Sequence, residues 1–135
     1  MTKLGYCGDD CELCPRYIAT QSGDIEAMRK TAQIWEKAGW REDIIPSEEI
    51  TCQGCTPLSP CRYKINECAT GNGVENCGRC GAYPCDKIMR VFELSEISDR
   101  HCKEVLSKSD YEQIRKAFFS KKTNLDRESK ENAHR

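Results

Sequence analysis

The chain has 135 residues, with 21 basic and 22 acidic side chains and a formal net charge of −1. This length fits one domain, and the balanced charge argues against the basic surface by which proteins bind nucleic acid. Apolar residues reach 38% only when the eleven cysteines are included, so the hydrophobic core is small and needs a supplement such as metal or disulfides. No segment is long and apolar enough to be expected to cross a membrane.

The N-terminal residues help to decide whether metal or disulfides stabilise the small core. Residues 1–6 lack the apolar stretch of a secretory signal, and we therefore expect a cytoplasmic protein. The cytosol is reducing, which favours metal ligation over disulfides, and an odd number of cysteines cannot pair completely. A disulfide framework is the alternative if a signal has been removed from the chain.

The sequence predicts two helices near the N-terminus. Pro15 suits the first position of a short helix that runs to about Gln21, and Cys14 then lies where the helix dipole favours a thiolate. Asp24 is expected to cap a second, amphipathic helix that ends near Gly39. The apolar positions of that helix follow helical spacing: Ile25, Met28, Ala32 and Trp35.

The rest of the chain predicts cysteine-rich loops followed by further helices. A short helix is expected at about 62–69, another after Tyr83-Pro84-Cys85, and a separate one at about 99–107. A capping box at 109–112 begins one more. Residues 120–135 contain one strong hydrophobe, Leu125, and we expect a solvated polar helix extension or a disordered tail outside a single domain of residues 1–119. The predicted fold class is mainly α with irregular, metal-binding cysteine loops.

Ten of the eleven cysteines fall into spaced sets. The N-terminal set is a C-x3-C-x2-C run: Cys7, Cys11 and Cys14. Residues 52–85 contain two C-x2-C pairs, Cys52/Cys55 and Cys77/Cys80, with three further cysteines: Cys61, Cys68 and Cys85. A C-x2-C pair can direct both sulfurs to one point, as a tetrahedral thiolate site requires.

We predict two zinc sites from these spacings. The first uses both C-x2-C pairs, whose separation of 21 residues is close to that of zinc ribbons: Cys52, Cys55, Cys77 and Cys80. The second joins the N-terminal run to a cysteine at a predicted helix start: Cys7, Cys11, Cys14 and Cys85. In the first set, one pair could instead be replaced by Cys61, Cys68 or Cys85, and in the second set Cys68 is the alternative to Cys85. If no fourth sulfur reaches the N-terminal run, an open position could hold water or substrate, as in catalytic zinc sites.

Three functions follow from these sites. Closed four-cysteine sites without a catalytic set favour a structural-zinc module that acts in interaction or regulation. We expect its partner to be an unidentified protein, and we expect it to bind neither nucleic acid nor a membrane. An iron–sulfur electron-transfer or redox-sensing protein is the alternative, because thiolates hold a 4Fe–4S cluster as readily as zinc. The C-x3-C-x2-C spacing also occurs in radical S-adenosylmethionine enzymes, whose barrel needs a much longer chain. A metal-dependent enzyme or metal carrier is the third hypothesis.

Other residues give little indication of catalysis. The chain lacks a serine–histidine–acid set, a glycine-rich phosphate loop and an H-E-x-x-H motif. Cys102, beside His101 in a predicted helix, is expected to be a small buried hydrophobe, and His134 to be solvated. The basic residues around Phe118 and Phe119 are expected to form the wet side of a helix rather than a nucleic-acid surface: Lys108, Arg115, Lys116, Lys121 and Lys122.

Four motifs in this order resemble the cysteine-rich bacterial and archaeal family named domain of unknown function 3795. They are CGDDCELCPRY from Cys7, ITCQGC from Ile50, INECA from Ile65, and VENCGRC from Val74 followed by YPCDK. The resemblance implies a small cytosolic protein that binds zinc or iron, and it supplies no activity. The chain departs from the family pattern at two places. The family usually has an arginine at the position of Asn66. It also has a cysteine closer in sequence to Cys68, and Cys61 would replace that cysteine from a shifted position.

Overall fold

The computed structural model describes residues 4–59, 61 and 63–133. In this part of the chain the protein is mainly helical, as predicted, and the only strand-like pairing there is one bridge between Leu4 and Asp10. The α-helices are α1 Pro15–Ser22, α2 Ile25–Lys37, α3 Ile65–Gly71, α4 Asp86–Val105, α5 Lys108–Phe118 and α6 Lys121–Ala133. Short 3-10 turns lie at Cys11–Leu13, Ser47–Glu49 and Cys77–Arg79. None of the helices in the described ranges is long and apolar enough to span a membrane.

The N-terminal helices confirm the prediction. α1 begins directly after Cys14 and ends at Gly23, whose φ of 68° is a left-handed conformation that glycine adopts without steric cost. The Asp24 carboxylate caps α2 by accepting a hydrogen bond from Ala27 N at 3.1 Å. α2 buries its predicted apolar stripe except at Ile25, which is exposed.

Two predictions for the later helices are wrong in detail. α4 continues through the region expected to form a separate helix at about 99–107, because no glycine or proline interrupts it after residue 85. α5 begins before the predicted capping box. Its cap is Ser107, whose hydroxyl accepts a hydrogen bond from Asp110 N at 3.2 Å.

The C-terminal segment is a helix that packs against the rest of the protein. A helix over residues 120–135 was one of the two predicted forms, but the expectation that this segment is solvated is wrong for α6. Leu125 is 0% exposed, and Asn124 Nδ2 donates to the carbonyl oxygen of Gly8 at 3.0 Å. α6 also lies against the turn Cys77–Arg79. The prediction for His134 falls outside the described residues.

Two clusters of buried side chains form the core. The larger one brings together α1, α2, α5 and the end of α4, and it includes Cys14 and Trp35. Cys102 is fully buried in this cluster, which confirms its predicted packing role. The smaller cluster lies between α3, α4 and α6, and it includes Cys77 and Leu125. Each core cluster therefore contains part of the cysteine-rich sequence.

Candidate thiolate sites

Five cysteines from two distant segments lie together and form what we name the first cysteine group: Cys7, Cys11, Cys14, Cys52 and Cys55. All of them except Cys7 line one cavity. A hydrogen bond between Cys55 and Cys11, and then burial, raise the pKa of Cys55, and the charge that Cys7 would carry as a thiolate raises it further. Cys7 therefore belongs to the same neighbourhood.

Side chains of α1 hold the two segments of this group together. The Arg16 guanidinium donates hydrogen bonds to three successive backbone carbonyls, those of residues 49–51. The Thr20 hydroxyl accepts a hydrogen bond from Cys52 N at 2.9 Å. Since α1 begins directly after Cys14, these bonds bring Cys52 to the N-terminal run.

Burial acts most strongly on two thiols of the first group, Cys14 and Cys7. It raises the pKa of Cys14 to about 11, although the N–H groups of Tyr17 and Arg16 at the start of α1 act in the opposite direction. The predicted helix-start effect is therefore present, but desolvation outweighs it. Burial also raises the pKa of Cys7 well above its ordinary value. Such surroundings favour the neutral thiol unless a cation binds.

The other five spaced cysteines form the second cysteine group: Cys61, Cys68, Cys77, Cys80 and Cys85. Burial raises the pKa of Cys77 to about 12, and the charges that the other four would carry as thiolates raise it further. All of them except Cys61 line a small cavity of about 20 Å³. Cys68 lies on α3 and Cys85 at the N-terminus of α4.

Helix α6 packs against the segment of the second group that contains Cys77 and Cys80. Glu128 Oε1 accepts hydrogen bonds from Asn76 Nδ2 at 2.9 Å and from Arg79 Nε at 3.0 Å. Tyr83 Oη donates to Asp126 Oδ1 at 2.7 Å. These bonds fasten residues 76–83, which include Cys77 and Cys80, to α6. Sequence reasoning missed the residues of α6, and its only indication of them was the isolated hydrophobe Leu125.

The structure divides the cysteines differently from the predicted pairing. Cys52/Cys55 lies with the N-terminal run and not with Cys77/Cys80, while Cys85 lies with Cys77/Cys80. The substitutes Cys68 and Cys61 both lie in the second group. Spacing identifies cysteines that are close along the chain. Which cysteines are close in space depends on the hydrogen bonds that attach residues 49–52 to α1, because these bring Cys52 to the N-terminal run.

Metal binding itself stays a prediction. No three His, Cys, Asp or Glu side chains among the described residues are arranged so that they could hold a metal ion as they stand. All eleven cysteines are described, and no disulfide joins any of them. The donor set nevertheless fits a thiophilic metal, because each group offers more than the four sulfurs that a closed tetrahedral site needs. Rotation about the Cα–Cβ bond of a cysteine is also sufficient to move its sulfur toward a bound ion.

The first group borders a cavity of about 500 Å³ with an aromatic wall. Trp35, Trp40 and Phe118 all lie on this wall. Their rings meet edge to face. The ring centroids of Trp35 and Trp40 are 5.0 Å apart, and the Phe118 centroid lies 5.8 Å from that of Trp35 and 5.6 Å from that of Trp40. This arrangement is favourable for aromatic rings and fixes their orientation.

One basic residue that was predicted to face solvent is largely shielded beside this cavity. The Lys121 side chain is only 12% exposed, and its Nζ lies 2.7 Å from Asp9 Oδ1. It also donates to the carbonyl oxygen of Phe118 at 2.7 Å. Three of the other basic residues are exposed as predicted: Lys108, Lys116 and Lys122. The sequence could not reveal the ion pair, because its members lie near opposite ends of the chain.

These features define a small, mainly helical, cysteine-rich domain. Residues 3–90 match the family described as "Protein of unknown function (DUF3795)". The chain belongs to this family, which confirms the resemblance seen in its motifs. The matched region contains both cysteine groups and ends within α4, so it includes neither α5 nor α6. No curated protein and no solved structure matches the chain.

Proposed function

We propose that the chain is a zinc protein in which each cysteine group holds one Zn²⁺, and that it acts as an interaction or regulatory module. The observation that best supports this proposal is the gathering of ten cysteines into two separate groups from distant parts of the chain. A cysteine that serves packing alone needs no other cysteine beside it. Cys102 exemplifies that use, as a fully buried thiol on α4.

The ligands would come from within each group. In the second group, the four cysteines that share the small cavity would supply the four sulfurs of a tetrahedral site: Cys68, Cys77, Cys80 and Cys85. In the first group, four of the five members would bind the ion. Zinc is preferred over a cluster because a closed four-sulfur site for zinc needs no inorganic sulfide. Bound zinc would stabilise the fold directly, since the apolar core is small.

Metal analysis tests this proposal. We expect plasma mass spectrometry of untagged protein, purified without oxygen, to find about two zinc ions per chain, since each closed site holds one, and we expect no visible absorption band. Cys102→Ser is the matched control, and it should keep the full metal content. Iron with sulfide and a broad visible band would overturn the zinc assignment and support electron transfer or redox sensing. Metal-free, folded protein would overturn the proposal.

A further inference from the structure

The cavity beside the first cysteine group has the size of a small-molecule site. Its volume of about 500 Å³ lies within the range of about 300–1,000 Å³ typical of ligand pockets. A zinc ion held at about 2.3 Å from its sulfur ligands would fill only a small part of this space. We propose that the cavity binds a planar aromatic small molecule that carries an acidic group.

The lining fits an aromatic ligand. Both tryptophans of the chain lie on it, together with Phe118, Phe119 and two tyrosines. Trp40 Nε1 already donates to Ser98 Oγ at 3.3 Å, so the polar atom of this ring does not require a partner from the ligand. Ring faces and edges of this kind contact planar aromatic molecules favourably.

The charges of the lining fit an acidic group. Of the three cations on the cavity wall, Lys121 is neutralised by Asp9 at 2.7 Å. Arg16 and Arg41 donate to backbone carbonyls, and neither forms an ion pair with any side chain in the described part of the protein. Each of the two guanidinium groups keeps N–H donors that no carboxylate occupies, so each can pair locally with an anion such as a carboxylate or sulfonate. It is this local pairing, and not the net charge of the wall, that favours an acidic ligand, because four zinc-bound thiolates on the same wall would add negative charge.

This inference goes beyond the zinc proposal and does not depend on it. The aromatic wall comes from α2, from Trp40 that follows it and from the C-terminal end of α5, while α4 contributes Val91, Leu94, Ser95 and Ser98. A chain with native circular dichroism that binds no aromatic anion would overturn this inference whatever its metal content. A metal-free chain that binds one would overturn only the zinc proposal.

Two naphthalene dyes provide the test on the protein as purified. The first is 1-anilinonaphthalene-8-sulfonate, and the second is N-phenyl-1-naphthylamine, which has the same rings without the sulfonate. We expect calorimetry to show one sulfonate dye bound per chain, with energy transfer from the tryptophans, and at least tenfold weaker binding of the neutral dye. Equal affinities would overturn the acidic-group assignment. Binding of several dyes per chain with loss of near-ultraviolet dichroism, as in a molten globule, would overturn the site.

Matched variants locate the binding. Leu94→Trp should fill the cavity and abolish binding of both dyes. Ile97→Trp is the control, because it makes the same change on the same helix at a side chain that is 55% exposed and does not line the cavity. Arg41→Gln, at an exposed residue, should weaken only the sulfonate dye, about tenfold, and exposed Arg90→Gln should change neither. The proposal would be overturned if the control variants lost binding, or if Leu94→Trp and Arg41→Gln bound the dyes as well as the wild type does.

Discussion

The two cysteine groups differ in what surrounds them. The first borders an aromatic cavity of about 500 Å³, whereas the second lines a space of about 20 Å³. Structural zinc sites are closed, and sites with a further role keep an accessible side. Under the zinc proposal, the second group would serve the fold, while the first would combine a structural role with access to a ligand cavity.

The groups are nevertheless linked. Cys77 N donates to the carbonyl oxygen of Tyr6 at 2.9 Å, so the second group is tied to the loop that carries Cys7. α6 also contacts both regions, through Asn124 to Gly8 and through Glu128 to Arg79. Loss of structure at one group is therefore expected to weaken the other.

Removal of metal is expected to have the largest effect. A chelator should take the zinc of the first group, which borders the larger cavity, before that of the second group. Exhaustive removal under reductant should abolish most of the helical dichroism. Structural zinc contributes about 10–16 kcal/mol in small zinc peptides. Zinc release followed by a colorimetric indicator, together with far-ultraviolet dichroism, measures both steps. Release in a single phase, or native dichroism without metal, would contradict this account.

Leu125→Ala tests the packing of α6 against the second group. Because Leu125 is 0% exposed, we expect urea denaturation to show a loss of about 2–5 kcal/mol in the free energy of unfolding. Leu58→Ala is the control, since that side chain is 95% exposed and its loss should cost less than about 0.5 kcal/mol. Similar small losses in both variants would mean that α6 is not docked in solution.

Gly78→Ala tests the close approach of the second group's turn to α6. A Cβ at this position would lie 2.5 Å from the carbonyl oxygen of Leu125 and 2.8 Å from Glu128 Cβ, so α6 would have to move. We expect a loss of about 1–3 kcal/mol in the free energy of unfolding and faster release of the second zinc. Gly71→Ala, where no atom lies within 4 Å, should not show these effects. An unchanged Gly78→Ala variant would argue against the contact.

Acid should weaken the docking of α6 through Glu128. Partial burial acts to raise the pKa of this carboxyl, but hydrogen bonds from Asn76 and Arg79 lower it below its ordinary value of 4.5. A carboxyl with a lowered pKa contributes stability above the unfolded-state value, and this contribution is lost as the pH falls through the folded value. The stability difference between the wild type and Glu128→Gln should therefore shrink below about pH 4.5.

Urea denaturation over this pH range measures that difference. Glu104→Gln, which makes the same change at an exposed residue of α4, is the control. A difference for Glu128→Gln that does not vary with pH would contradict the role assigned to this carboxylate.

Local features of the sequence predicted local structure. Pro15 and Asp24 were sufficient to place α1 and α2, because proline and capping residues act on the adjacent backbone. The cysteine spacings likewise identified the ten grouped sulfurs. The division into groups could not be predicted, since it depends on bonds from Arg16 to residues 49–51. The docking of α6 depends on Leu125 and on partners near the other end of the chain, and no local pattern encodes these.

The most direct test of the account is a crystal structure of the protein as purified, with anomalous diffraction data collected at the zinc absorption edge. We predict two zinc peaks, one among the sulfurs of the first cysteine group and the other among those of the second. A peak that joins the two C-x2-C pairs would restore the zinc-ribbon pairing and contradict the account, as would a folded chain without metal at either group. That ribbon set is Cys52, Cys55, Cys77 and Cys80.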